Sequence, residues 1–208
     1  MSVALSEGKR ARPVFARHAA SLLLWRTGAD GTEVLMGVRG ARHRFMPNRL
    51  VFPGGAVDPG DGVAEAAREP DPATLALLGR RATPRLARAV VVAAARELAE
   101  ETALSFGRPP ALDAIAYLCR AVTPPTSPIR FNARFLVAPA DAVSGTAADS
   151  DELGEVRFYA VQQALTLGLM DVTREVLLRL EAFLALTEGE RAARAEIFAF
   201  RRKRWERD

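Results

Sequence analysis

Two apolar runs stand near the start of the chain, Ala19-Ala20-Ser21-Leu22-Leu23-Leu24-Trp25 and Glu33-Val34-Leu35-Met36-Gly37-Val38, with Gly28-Ala29-Asp30-Gly31 between them. Short β-prone runs on either side of a glycine-bearing turn predict two strands joined as a hairpin. An arginine-rich loop, 39–50, then leads into a short apolar strand at Val51-Phe52 that runs into Pro53-Gly54-Gly55. Glycine there permits positive φ and lets a backbone carbonyl come close to a ligand. Residues 62–84 hold Pro70, Pro72 and Pro84 around a short helical piece at 73–78, so they read as an irregular surface excursion. From about 85 to 104, Leu86, Val90, Val91, Ala94 and Leu98 recur at helical spacing and predict a long helix that buries one side. Ala103 lacks the ease with which glycine leaves a helix in the left-handed conformation, so a different helix end is expected there. Further strands are expected at 114–120, 132–138 and 155–159, and helices at 162–167 and 172–187. Residues 188–208 read either as a basic helix or as ending in a short strand. This mixed order predicts a single α+β domain.

The long helix carries unusual chemistry near its end, Arg96-Glu97-Leu98-Ala99-Glu100-Glu101. At 3.6 residues per turn, Glu97 and Glu101 stack on one face and Glu100 lies beside them. Like charges so placed repel by a few tenths of a kcal/mol per pair. A hard divalent cation, which takes oxygen ligands, removes that repulsion. Taken alone, a Glu-rich turn is a solvated helix face. A strand, a glycine turn and then an acidic helix together make a metal and phosphate site.

These residues resemble the Nudix hydrolases, whose signature runs Gly, five residues, Glu, seven residues, then Arg-Glu-(apolar)-x-Glu-Glu-x-Gly-(apolar). Here Gly55 is followed after five residues by Asp61, and the second half reads Arg96-Glu97-Leu98-Ala99-Glu100-Glu101-Thr102-Ala103-Leu104. Three departures stand out: Asp61 replaces Glu, Ala103 replaces the closing Gly, and 34 residues separate Asp61 from Arg96, an insertion of 27. Phe52-Pro53-Gly54-Gly55, Asp58, Asp61 and the long insert resemble the split-box subgroup of the peroxisomal coenzyme A diphosphatase type. Thr123-Pro124-Pro125 and the run from Ile129 to Phe135 look similar to it as well. The resemblance covers about residues 18–185.

The resemblance implies the Nudix fold, an α/β/α sandwich with a mixed sheet packed between helices. It implies Mg2+ or Mn2+ held by Glu97, Glu100, Glu101 and the main-chain oxygen of Gly55, with Arg96 orienting a glutamate. A further acidic site before a late strand is matched by Glu152, with Asp151 and Glu155 competing for that assignment; which carboxylate acts as general base stays open. Asp61 is a motif position that either bonds Arg96, joins the metal shell or is displaced. Arg39, Arg42, Arg44 and Arg49 are candidates for a phosphate-binding rim, and Arg44, Arg49 and Arg130 for the extra phosphate of coenzyme A. The implied reaction is hydrolysis of a nucleoside diphosphate linked to another group, coenzyme A or acyl-coenzyme A first, ADP-ribose or a dinucleotide second. A non-catalytic nucleotide sensor is the alternative of a different class.

Composition narrows the rest. A chain of 208 residues, 49% hydrophobic, suits one domain with its own core. The expected division is a basic N-terminal extension at 1–17, the Nudix domain at 18–187 with its insertion at about 62–88, and a basic tail at 188–208. The single cysteine, Cys119, lies in an apolar run and is expected as a core thiol, and one cysteine forms no internal disulfide. Lys9, Arg10 and Arg12 have no apolar segment behind them, so no signal peptide is expected. No run approaches the roughly 18 apolar residues of a membrane span. Glu206-Arg207-Asp208 is not a peroxisomal Ser-Lys-Leu address, so a peroxisomal location is not expected, and the single cysteine fits the expected reducing cytoplasm. The net charge of +4 suits a small phosphate-rich substrate, and nucleic acid is not expected as a partner; a homodimer is left open.

Overall fold

The computed structural model describes residues 14–40 and 48–208. Its centre is β1 (Arg17–Gly28), whose run of apolar residues feeds two cores at once: Leu22 and Leu24 point to one face of the sheet and Leu23 to the other, all fully buried. A strand buried on both faces reads as a continuous apolar run rather than an alternating one. The predicted hairpin forms, with β2 (Gly31–Arg39) antiparallel to β1 from Trp25↔Val34 to Gly28↔Gly31.

The segment 51–55, expected as a short strand running into a glycine turn, is broken into two strands. β3 (Leu50–Val51) pairs with β2, whereas β4 (Gly54–Ala56) pairs with β1. Pro53 lies at the switch and has no N–H to give a ladder, and its carbonyl accepts from the Leu22 N–H at 2.9 Å. Residues 57–71 are irregular and run into the insert after Asp61; α1 (Pro72–Gly79) follows, capped by the Asp71 side chain.

α2 (Pro84–Thr102) starts with Thr83 capping the Leu86 N–H and with Pro84 in its first turn, both favoured helix openings. Its buried Val90, Val91, Ala94 and Leu98 pack on the Leu22–Leu24 side of the sheet. The expectation of a different helix end at Ala103 is not met. Ala103 takes the left-handed conformation, φ 60° and ψ 7°, and its N–H reaches the Ala99 carbonyl at 3.2 Å. An alanine side chain there costs about 1 kcal/mol, which the packed helix overrides. Ala103→Gly is therefore expected to raise stability by about 0.5–1 kcal/mol, or a few degrees in Tm for a chain of this size. Thermal melting checks this, and a lowered Tm would contradict the conformation.

β5 (Ala116–Val122), β6 (Phe131–Pro139) and β7 (Leu153–Ala160) follow, within a few residues of the expected positions. α3 (Val161–Thr166) and α4 (Asp171–Leu184) come next, and α4 lays Val176, Leu177, Leu180 and Phe183 on the Leu23 side of the sheet with Leu118, Phe135 and Val137. Cys119 is fully buried in this second core, and burial pushes its thiol up to about 12, which suits packing rather than reactivity.

Residues 188–208 are not an appendage. After α5 (Glu188–Ala192), β8 (Phe198–Arg201) pairs parallel to β5 and turns through Arg202–Lys203 into β9 (Arg204–Arg207). Asp208 is bonded by Arg120 and Arg201, the latter at 2.9 Å, with its side chain 1% exposed. The strand order is β3-β2-β1-β6-β5-β8-β9, with β4 on β1 and β7 on β2, and α2 and α4 cover opposite faces. This is the expected α/β/α arrangement. Among the described residues no helix is long and apolar enough to cross a membrane.

Candidate active site

One turn of α2 supplies Arg96, Glu97, Glu100 and Glu101. The Arg96 guanidinium ties three segments together. Its Nη1 donates to Glu97 Oε1 at 2.9 Å and Glu100 Oε2 at 3.0 Å on the same helix. Its Nη2 donates to the Ala56 carbonyl of β4 at 3.0 Å. Its Nε and Nη2 reach the two oxygens of Asp61 at 3.0 and 3.2 Å. A fork of donors matched to several oxygens fixes geometry as a single ammonium cannot, and this company holds Arg96 firmly charged.

Asp61 keeps its place although the insert begins immediately after it. Its carboxylate is buried, and Oδ2 also accepts from the Asp58 N–H at 2.7 Å. The shorter acid therefore serves as the partner of Arg96, the first of the roles its motif position allowed.

Glu101 lies deeper, 3% exposed, with Oε2 accepting from the Gly54 N–H at 2.7 Å. Burial pushes its carboxyl up to about 7; the Gly54 N–H and Arg39 pull the other way, while Glu97 and Glu152 add to the rise. Glu97 is raised too, by burial first, against the pull of Arg96, with Glu100 and Glu152 adding to the rise. Glu152 thus stands near enough for its charge to act on both helix carboxylates. The Gly40 N–H holds the Glu152 main-chain oxygen at 3.0 Å.

The glycine turn is required by contact. Gly54 has φ 154°, and a Cβ on it would meet the Ala20 carbonyl at 2.3 Å. A Cβ on Gly55 would fall 2.4 Å from the Glu97 carboxylate. The donor set fits a hard cation: oxygen atoms only, carboxylates that raise one another's proton affinity, and a bare backbone beside Glu97. Among the described residues no three acidic, histidine or cysteine side chains are already gathered around one ion position.

On the other side of Gly54–Gly55 opens a cleft of about 600 Å³, floored by Ala19, Ser21, Ala133 and Phe135 and bordered by Arg39, Arg49 and Glu152. The α2 carboxylates stand behind the glycine strand rather than in the cleft wall. Arg39 Nη2 donates to the Gly54 carbonyl at 3.3 Å, and Arg49 Nη1 to the Gly168 carbonyl at 3.3 Å. Arg130 is not in the wall; its guanidinium is engaged by the Thr123 and Val14 carbonyls at 3.2 and 2.5 Å. Asp151 and Glu155 are exposed and outside the wall. Arg42 and Arg44 lie outside the described residues.

Sequence reasoning missed Arg17, Phe200, Arg202, Lys203 and the stretch 169–173, which complete the cleft. The run Arg201-Arg202-Lys203-Arg204 was visible as charge, but no local signal says that it folds back beside β5.

No protein-family model and no curated protein matches the chain. Solved structures do. A Nudix hydrolase from Alicyclobacillus acidocaldarius is 27% identical, with a TM-score of 0.64 over 81% of this chain and 92% of that one. A MutT Nudix hydrolase from Burkholderia pseudomallei is 19% identical, TM-score 0.53, over 80% and 99%. The Nudix domain of Shewanella oneidensis NrtR, solved with ADP-ribose, is 16% identical, TM-score 0.56, over 83% and 90%. The last two share the fold; the first adds similarity of sequence across it. The chain therefore has the fold of these Nudix hydrolases, with similarity of sequence to the first of them across most of its length.

Proposed function

We propose that the protein hydrolyses the diphosphate linkage of a nucleoside diphosphate joined to another group, with coenzyme A or an acyl-coenzyme A as its substrate. The observation that carries this reading is the Arg96 tie, which holds the helix carboxylates, Asp61 and the glycine strand as one rigid unit beside a basic-rimmed cleft. The two substitutions in the family motif are absorbed: Asp61 still meets Arg96, and Ala103 still makes the left-handed exit. A binding module without catalysis has no use for mutually repelling acids held in this way.

Glu97 and Glu101, with Glu100 and the Gly55 main-chain oxygen beside them, would hold Mg2+ or Mn2+, which supplies neutralisation of the phosphate oxygens and a lowered pKa for the attacking water. Arg39 meets the diphosphate at the glycine turn. Water oxygen bonds to one phosphorus, the bridging P–O bond breaks, and the water proton passes to a clustered carboxylate, of which Glu152 borders the cleft. The leaving phosphate takes the bridging oxygen. Arg96 and Asp61 do not touch substrate; they keep Glu97 in place.

A panel of coenzyme A, ADP-ribose, NADH and diadenosine polyphosphates, incubated with Mg2+ or Mn2+, tests the reading. Release of phosphopantetheine and adenosine 3′,5′-bisphosphate from coenzyme A is expected. Preferential cleavage of ADP-ribose or a dinucleotide would replace the substrate, and no cleavage of any member would overturn the proposal.

A further inference from the structure

We propose that the β8–β9 turn, Arg202–Lys203, is a subsite for a second phosphate group of the substrate, a monoester set apart from the diphosphate; this rests on the diphosphate-hydrolysis reading above. Both residues line the same cleft as Gly54 and Gly55. The sheet register fixes their distance. Gly54–Gly55 pair with β1, whereas the turn follows β8, reached from β1 through β6 and β5. Four strand spacings separate them, about 19 Å less the reach of the arginine and lysine side chains. A diphosphate held at Gly55 and Arg39 therefore leaves Arg202 and Lys203 at the far end of the cleft for another group.

The choice of turn residues points the same way. Arg201 and Arg204 are paired, and the two residues between them have φ of 48° and 65°. A two-residue hairpin turn with both central residues at positive φ is the setting in which Asn-Gly is favoured, because side chains crowd the backbone there. Arginine and lysine hold it under strain with no backbone advantage, and strain of this kind is retained where the side chains serve a ligand.

The turn is also held in position. Trp205 Nε1 donates to Glu175 Oε2 of α4 at 2.8 Å, and its ring packs on Phe200 at 5.2 Å between centroids. Lys203 pairs with Asp171 at 2.9 Å, but both partners are largely exposed, and such a pair exchanges readily for a doubly charged ligand. Arginine's planar fork and lysine's ammonium together satisfy a phosphate monoester, which offers three acceptor oxygens. Between the two charged ends, Phe131, Phe135 and Phe200 give an apolar middle that suits a base or an acyl group.

Calorimetric titration of the metal-free full chain with adenosine 3′,5′-bisphosphate and with AMP tests the subsite without any turnover. The wild type is expected to prefer the bisphosphate at least tenfold. In Arg202→Asn/Lys203→Gly, which gives the turn its favoured residues, that ratio is expected to fall below threefold while Tm holds or rises. Arg202→Gln/Lys203→Gln, which keeps side-chain length, is expected to lose the preference equally. A wild type that binds both nucleotides alike, or a variant that keeps the tenfold ratio, overturns the proposal. Failure of the cleavage panel with this preference intact would remove the hydrolytic reading alone.

Discussion

Glu101→Gln is expected to lower the turnover number for diphosphate hydrolysis by about 100-fold or more while leaving the protein folded. The amide oxygen can still accept the Gly54 N–H, so the contact between α2 and the glycine strand survives. What is lost is the charge a cation needs at the centre of the cluster. Steady-state kinetics with Mg2+ reads this, and unchanged turnover would remove Glu101 from the ligand set.

The same variant has a signature in stability. The folded protein holds the Glu101 proton up to about pH 7, whereas the ordinary value is 4.5. Between those values the native state binds more protons than the unfolded chain, so the wild type loses stability as pH rises through that window. The span corresponds to roughly 3 kcal/mol at most. The amide of the variant does not titrate and escapes the loss. In chelator, melting curves of the two proteins should therefore nearly coincide at pH 4.5 and separate by several degrees at pH 8, with the inactive variant the more stable. A difference that stays flat with pH would contradict the burial of the charge.

Much of this site was legible because its parts are local. The spacing of Glu97, Glu100 and Glu101 on one helical turn and the bare Gly54–Gly55 backbone need only neighbouring residues to be read. The link from Arg96 back to Asp61 came from a motif rather than from any periodicity, since 34 residues intervene. The split of 51–55 into β3 and β4 was missed because it depends on which strand each half pairs with, although Pro53 was in plain view. The C-terminal hairpin was illegible for the same reason: a parallel pairing of β8 with β5 spans almost eighty residues, and nothing near Phe200 encodes it. Arg130 illustrates the converse. Its position beside a similar motif suggested a substrate contact, yet carbonyl groups of Thr123 and Val14 engage its guanidinium.

Gly54→Ala and Gly55→Ala are expected to fail in opposite ways, although they are adjacent and add the same methyl group. At Gly54 the methyl would press on the main chain of β1, 2.3 Å from the Ala20 carbonyl and 2.6 Å from Ser21 Cα, at a positive φ. Neither obstacle can yield without parting β4 from β1, so a loss of about 3 kcal/mol or more is expected, read as a fall in the denaturation midpoint. At Gly55 the methyl would first meet the Glu97 carboxylate, 2.4 Å away, at the end of a side chain that can swing. The fold should lose about 1 kcal/mol. Yet the swing draws Glu97 off Arg96, with which it makes a 2.9 Å hydrogen bond, and a displacement of this size costs on the order of 100-fold in kcat/KM. A Gly55→Ala protein with wild-type kinetics would show that the seat of Glu97 does not matter to the reaction. A Gly54→Ala protein that unfolds at the wild-type midpoint would show that β4 does not lie against β1 as closely as these contacts require.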